Sequence, residues 1–135
     1  MNNFNQIFNK LIFKHLKGCS KDDILEAEKE LQLKFNDAYK SFLLQYGAVL
    51  YGNSEIFGLV SIPSLNVVYQ TQLARKNYST YNTPFPKDFY VIESMGIDGI
   101  LLIQNQKGEV YIIGPHIKLQ KEYNSFIEYL NAKNN

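Results

Sequence analysis

Along the first third of the chain, apolar residues recur at intervals of three and four. After Gly47 they switch to short runs and alternation. Phe4, Ile7, Phe8, Leu11 and His15 fall at helical spacing, so a first helix is expected over 4–17. Gly18 would end it, because glycine takes the left-handed conformation of a helix stop without strain. Ser20 stands as an N-cap for a second helix, with Asp22 and Asp23 in the first turn, where carboxylates complement the helix dipole. Ile24, Ala27, Glu28 and Leu31 carry that helix inward, and Glu26, Lys29 and Glu30 form its exposed face. Asn36 caps a third helix whose stripe, Tyr39, Phe42, Leu43 and Tyr46, is expected to end at Gly47.

Short strands are expected over 48–50 and 55–60, around a Gly52-Asn53 turn. The stretch 65–78 reads as a helix with Val67, Val68, Thr71, Ala74 and Tyr78 on one face, although its β-branched residues lower its intrinsic propensity. A polar loop follows over 77–86. Strands over 89–93, 100–104 and 109–113, separated by the turns 96–99 and 105–108, read as an antiparallel meander. An amphipathic helix over 119–131, with Tyr123, Phe126, Ile127 and Leu130 as its stripe, closes the chain. No repeat, linker or low-complexity tract divides residues 1–135, so one domain is expected. Its class is α+β: an antiparallel sheet of about four to six strands packed by the N-terminal helices and the C-terminal helix.

Composition narrows the partners. The 135 residues, 45% of them hydrophobic, suffice for one core without disulfides or metal. Only 132–135 reads as a short polar tail. The net charge is +1, and the basic residues are scattered, with Arg75-Lys76 and Lys118/Lys121 the closest groupings. Nucleic-acid binding draws on a concentrated basic stripe, so nucleic acid is not an expected partner. The single Cys19 forms no internal disulfide, and the chain reads as cytoplasmic. Met1-Asn2-Asn3-Phe4 lacks a basic stretch leading into an apolar one, so no signal peptide is expected. No apolar run approaches the roughly 18 residues that cross a bilayer, so no membrane association is expected.

The groups capable of chemistry are few. His15 would need a neighbouring nucleophile or acid to act as a base, and a packed or surface histidine is the plainer reading. His116 follows Gly114-Pro115 in a loop, and two distant histidines with one cysteine make a poor metal set. Cys19 lies near a helix start, which can lower a thiol pKa, but no Cys-His pairing is readable. Asp98, in the turn 96–99, is one carboxylate where a calcium loop needs several. The glycines match no phosphate-binding spacing. No catalytic, metal or cofactor residue is therefore expected. The acidic helix face around Glu26 and Glu30 is either solvated or a docking patch for a basic partner. The ten tyrosines stand out, because a ring with a polar tip suits protein interfaces. Tyr51, Arg75, Tyr78 and Tyr81, with Glu26 and Glu30, are the candidate partner-binding residues.

Several segments in this order resemble the SUKH superfamily, which includes fungal cell-wall regulators and bacterial toxin-immunity proteins. The acidic helix Ile24-Leu25-Glu26-Ala27-Glu28-Lys29-Glu30-Leu31 is followed by Phe35-Asn36-Asp37-Ala38-Tyr39-Lys40-Ser41-Phe42-Leu43 and Tyr46-Gly47. Then come Glu55-Ile56-Phe57-Gly58-Leu59, Gly96-Ile97-Asp98-Gly99-Ile100-Leu101-Leu102, Gly108-Glu109-Val110-Tyr111 and Ser125-Phe126-Ile127-Glu128-Tyr129-Leu130. The resemblance covers about residues 20–130, and the signature is densest over 20–59. Asn36 stands where the family usually has Pro; both residues start a helix. Residues 61–86 carry no family motif, which is where partner-specific variation is expected. The resemblance implies a non-enzymatic immunity protein that binds and neutralises a cognate toxin domain. The alternatives are a regulatory or scaffold module with an endogenous partner, and a small enzyme using His116 or Cys19.

Overall fold

The computed structural model describes residues 4–81 and 83–135; the reading of Met1–Asn3 and the Asn82 position of the polar loop lie outside them. Two helices form as their caps dictate. Ser20 Oγ accepts the Asp23 N–H at 3.1 Å while the Asp23 carboxylate accepts the Ser20 N–H at 3.0 Å, so α1 spans Lys21–Leu31 behind a reciprocal capping box. Asn36 Oδ1 accepts from the amides of Ala38 and Tyr39 and starts α2, Asp37–Gln45. Between them the buried carboxylate of Glu28 accepts the Phe35 N–H at 2.8 Å, fixing the return of the chain.

The expected stop at Gly47 comes two residues earlier. Tyr46 is already extended, and α2 runs directly into β2, Tyr46–Tyr51. Strand β1, Phe13–Lys17, and strand β3, Ser54–Ile56, flank it antiparallel in the order β1-β2-β3. The helix expected over 4–17 is therefore corrected to a 3-10 turn at Phe4–Gln6 followed by a strand. Phe4 and Phe8 are buried as that reading required, but Leu11 and Ile12 are exposed. From Phe13 onward the repeat is two: Phe13 and His15 both lay their rings against Tyr46, at 5.6 and 4.8 Å between centroids. Pairing with β2 satisfies the backbone of this segment, and that outweighs the helical spacing.

A second sheet is a meander of β4 (Tyr90–Ser94), β5 (Leu101–Gln104), β6 (Val110–Gly114) and β7 (Ile117–Tyr123). The closing helix expected over 119–131 is thus shorter. Ile117, Leu119, Lys121 and Tyr123 alternate with Lys118, Gln120 and Glu122, a period of two that pairs with β6. Helix α4 begins only at Phe126, capped by Ser125, and ends at Ala132. The α+β class is as expected; the antiparallel strands, seven among the described residues, divide between two sheets, joined where the Phe57 N–H donates to the Ile92 carbonyl at 2.9 Å.

Helix α3, Val67–Tyr78, buries Val67, Val68, Thr71, Ala74 and Tyr78, the face read from the sequence. The Thr71 hydroxyl accepts the Val91 N–H at 3.0 Å and fastens α3 to β4. Aromatic rings dominate the core: Tyr39 stacks on Tyr90 and meets Phe35, Phe42 and Phe126, all fully buried. A fully buried large apolar side chain contributes about 1.5–3 kcal/mol, so this cluster organises the helices around both sheets. Gly58 is required by sterics, since a Cβ there would lie 1.5 Å from the Gly47 carbonyl oxygen. That close approach brings the segment after β3 back toward α3, where Gly58 bridges Asn66.

Candidate functional site

The clearest concavity is an open groove of about 540 Å³ between α1 and α3. One wall is α1, with Asp23, Glu26, Ala27 and Glu30 on successive turns. The other is the start of α3, with Val68, Tyr69 and Gln72. Leu59–Ser61, Pro63 and Asn66 close one end. A 3-10 turn at Pro63–Leu65 shapes that end, and the Asn66 side chain holds it by donating to the Val60 carbonyl at 2.7 Å. Across the groove, the Gln72 amide donates to Glu30 at 3.0 Å.

The groove carries three carboxylates, and no Lys, Arg or His is among its lining residues. The Ser20 backbone N–H and hydroxyl hold the Asp23 carboxyl below its usual range. Tyr69 presents an apolar ring beside these charges and is 48% exposed. The site therefore offers negative potential next to apolar surface, which suits a basic, amphipathic protein segment.

The six candidate partner-binding residues separate. Glu26 and Glu30 come together on the groove. Tyr81 is 40% exposed but lies outside the groove lining, with its ring packed edge-on against Tyr78. Arg75 is half-buried, and its guanidinium donates to the carbonyls of Leu31 at 2.9 Å and Lys87 at 3.2 Å. It fastens the end of α1 and residues 85–88 to α3, and its burial lowers its pKa. Tyr51 and Tyr78 are core residues, 1% and 3% exposed. The Tyr51 hydroxyl accepts the amides of Lys10 and Leu11 and bonds Asn134, pinning both terminal segments. The Tyr78 hydroxyl donates to the Gly99 carbonyl at 2.9 Å, and burial pushes its pKa up.

Tyr69, one of the tyrosines of the chain's middle, and Gln72 are not among the six candidate residues. Their signal was present, because both fall on the side of α3 opposite Val67, Thr71, Ala74 and Tyr78, but only the packing of α3 beside α1 makes that side one wall of a groove.

None of the groups weighed for catalysis lines the groove. Cys19 is half-buried; burial, then the Asp23 charge, pushes its thiol up to about 11, so it is protonated at neutral pH. His15 is an exposed strand residue. His116 lies in the β6–β7 turn and lines a shallow depression of about 300 Å³ with Asp98, Ile100, Pro115 and Ile117. Among the described residues no three His, Cys, Asp or Glu side chains gather closely enough to hold a metal ion, and no helix is long and apolar enough to cross a membrane.

Residues 2–134 match a SUKH family model described as SMI1-KNR4 cell-wall. A solved structure, that of a protein from Pseudomonas syringae pv. tomato, aligns with a TM-score of 0.67 over 93% of each chain at 17% identity, a likeness of fold. No curated protein matches the chain.

Proposed function

The chain belongs to the SMI1-KNR4 cell-wall family of the SUKH superfamily, and from that premise we propose that it is a bacterial immunity protein that acts by binding. It occupies a cognate toxin domain in the cytoplasm and blocks the toxin's active site or substrate path. It performs no chemistry of its own. Inhibition of this kind needs complementary shape and charge, and no reacting group in the inhibitor. The observation that carries the reading is the open α1–α3 groove, where Asp23, Glu26 and Glu30 stand beside the exposed ring of Tyr69. Toxins that attack nucleic acids carry cationic surfaces to hold phosphates, and such a surface complements this groove.

Co-expression with candidate polypeptide toxins, beginning with any encoded beside the chain's gene, tests it. Cells producing both are expected to survive, and the two proteins to co-purify. Loss of viability at undiminished expression of the chain, with no complex, overturns the reading. A stable complex with an endogenous protein, together with no protection, would assign the chain a regulatory role.

A further inference from the structure

We propose that the α1–α3 groove receives one helix of the bound protein, a helix with two Lys or Arg residues one turn apart facing α1 and an aliphatic residue facing Tyr69 and Val68. This rests on the protein-binding reading above and adds the chemistry of the occupant. The carboxylates of Asp23, Glu26 and Glu30 follow one another up α1 at three- and four-residue spacing. A helix rises about 5.4 Å per turn, so a second helix laid along α1 presents cations at the same repeat. An extended strand repeats a given face about every 6.6–6.8 Å and drifts out of register with them.

The opposite wall is chemically different. Pro63 and Tyr69, the latter 48% exposed, offer apolar surface that nothing in the described chain covers, and Val68, itself mostly buried, reaches the lining between them and α1. Both long walls are helices, and a third helix can seat its side-chain ridges between them. The carboxylates also differ in availability. Asp23 is engaged by Ser20 and Glu30 by Gln72, whereas Glu26 has no hydrogen bond or ion pair among the described residues. Glu26 is therefore the free anchor for an incoming cation.

The test titrates the isotopically labelled chain with an alanine-based helical peptide carrying two arginines one turn apart and a leucine on the adjoining face. A counterpart with glutamates for the arginines serves as control, and amide shifts are followed by NMR. Expected are saturable shifts confined to α1, the 59–66 segment and the first turns of α3. Added salt should weaken binding, and Glu26→Gln with Glu30→Gln should lower affinity about tenfold. Retained dispersion of the spectrum confirms that the variant is folded. Shifts elsewhere, equal binding of the glutamate peptide, no binding at all, or indifference to the double substitution each overturn the proposal. Toxin protection in co-expression that survives the double substitution would remove the groove helix and leave the immunity reading standing; failure of protection by the unaltered chain would remove the immunity reading itself.

Discussion

The ammonium of Lys133, just past α4, lies 2.6 Å from Oε1 of Glu93 on β4, and both side chains are nearly buried, at 12% and 8% exposure. The same carboxylate oxygen accepts the Tyr129 hydroxyl at 2.6 Å, and Lys133 also donates to Ser54 at 3.1 Å while sitting over the Tyr129 ring. One ion pair thus fastens the C-terminal helix to both sheets. Removing one partner of such a pair leaves the other charge uncompensated in the interior. Glu93→Ala is therefore expected to lower stability by about 3 kcal/mol in urea denaturation, and Glu93→Leu with Lys133→Met to recover most of the loss. A wild-type midpoint for Glu93→Ala would show that the network does not hold the helix.

Tyr78 and Tyr81 are neighbours in the chain's tyrosine-rich middle and differ in kind. Tyr78→Ala empties a core site and is expected to cost about 3 kcal/mol, whereas Tyr78→Phe loses only the bond to Gly99, about 1 kcal/mol. Tyr81→Ala should stay within about 0.5 kcal/mol. Thermal unfolding of the three variants checks the order; equal melting temperatures for Tyr78→Ala and Tyr81→Ala would contradict the burial of Tyr78.

Asn36 is the N-cap of α2, and its φ of −64° would fit a proline ring. Its amide nevertheless donates to the Tyr90 hydroxyl at 3.0 Å, and its side chain caps α2 and donates to the Gln106 carbonyl at 3.1 Å. Asn36→Pro is expected to cost about 1–2 kcal/mol despite the compatible backbone. Chemical denaturation decides it: a gain in stability would mean that the lost bonds weigh less than the fixed φ.

Two surface carboxylates set part of the acid response. The Ser20 amide and hydroxyl lower the pKa of Asp23, while the Asn105 side chain and then Lys121 lower that of Glu109. A carboxylate whose folded pKa is depressed contributes stability that is present above its unfolded value. That contribution is lost as pH falls through the folded one, here below about pH 4. Asp23→Asn with Glu109→Gln should make the fall of the denaturation midpoint with acid shallower; an unchanged slope would show that neither pairing persists in solution.

Much of the helical architecture is legible because it is local. Ser20 and Asn36 announce their helices by side-chain chemistry, and the buried face of α3 follows from spacing alone. The two misread segments fail for one reason. Over 13–17 and 117–123 a period of two overlaps a period of three or four through shared aromatic positions, and only pairing with β2 and β6 decides between them. Tyr51 and Tyr78 were misplaced because a tyrosine with a satisfied hydroxyl buries as well as it binds, and the partners that satisfy each, Lys10 and Gly99 among them, are distant in sequence. Glu26 and Glu30 were legible as an exposed acidic face. The groove they line was not, because its second wall arrives some forty residues later, through the turn at Gly58 and Asn66.

Neutralisation by stoichiometric binding is measured most directly as the activity of a purified toxin domain titrated with the purified chain. A linear fall in toxin activity is expected, reaching zero at a fixed molar ratio and recovering when the complex is dissociated and separated. Loss of toxin activity at far below one equivalent, progressing with time, would contradict it by showing turnover; undiminished activity in excess chain would contradict it by showing no recognition.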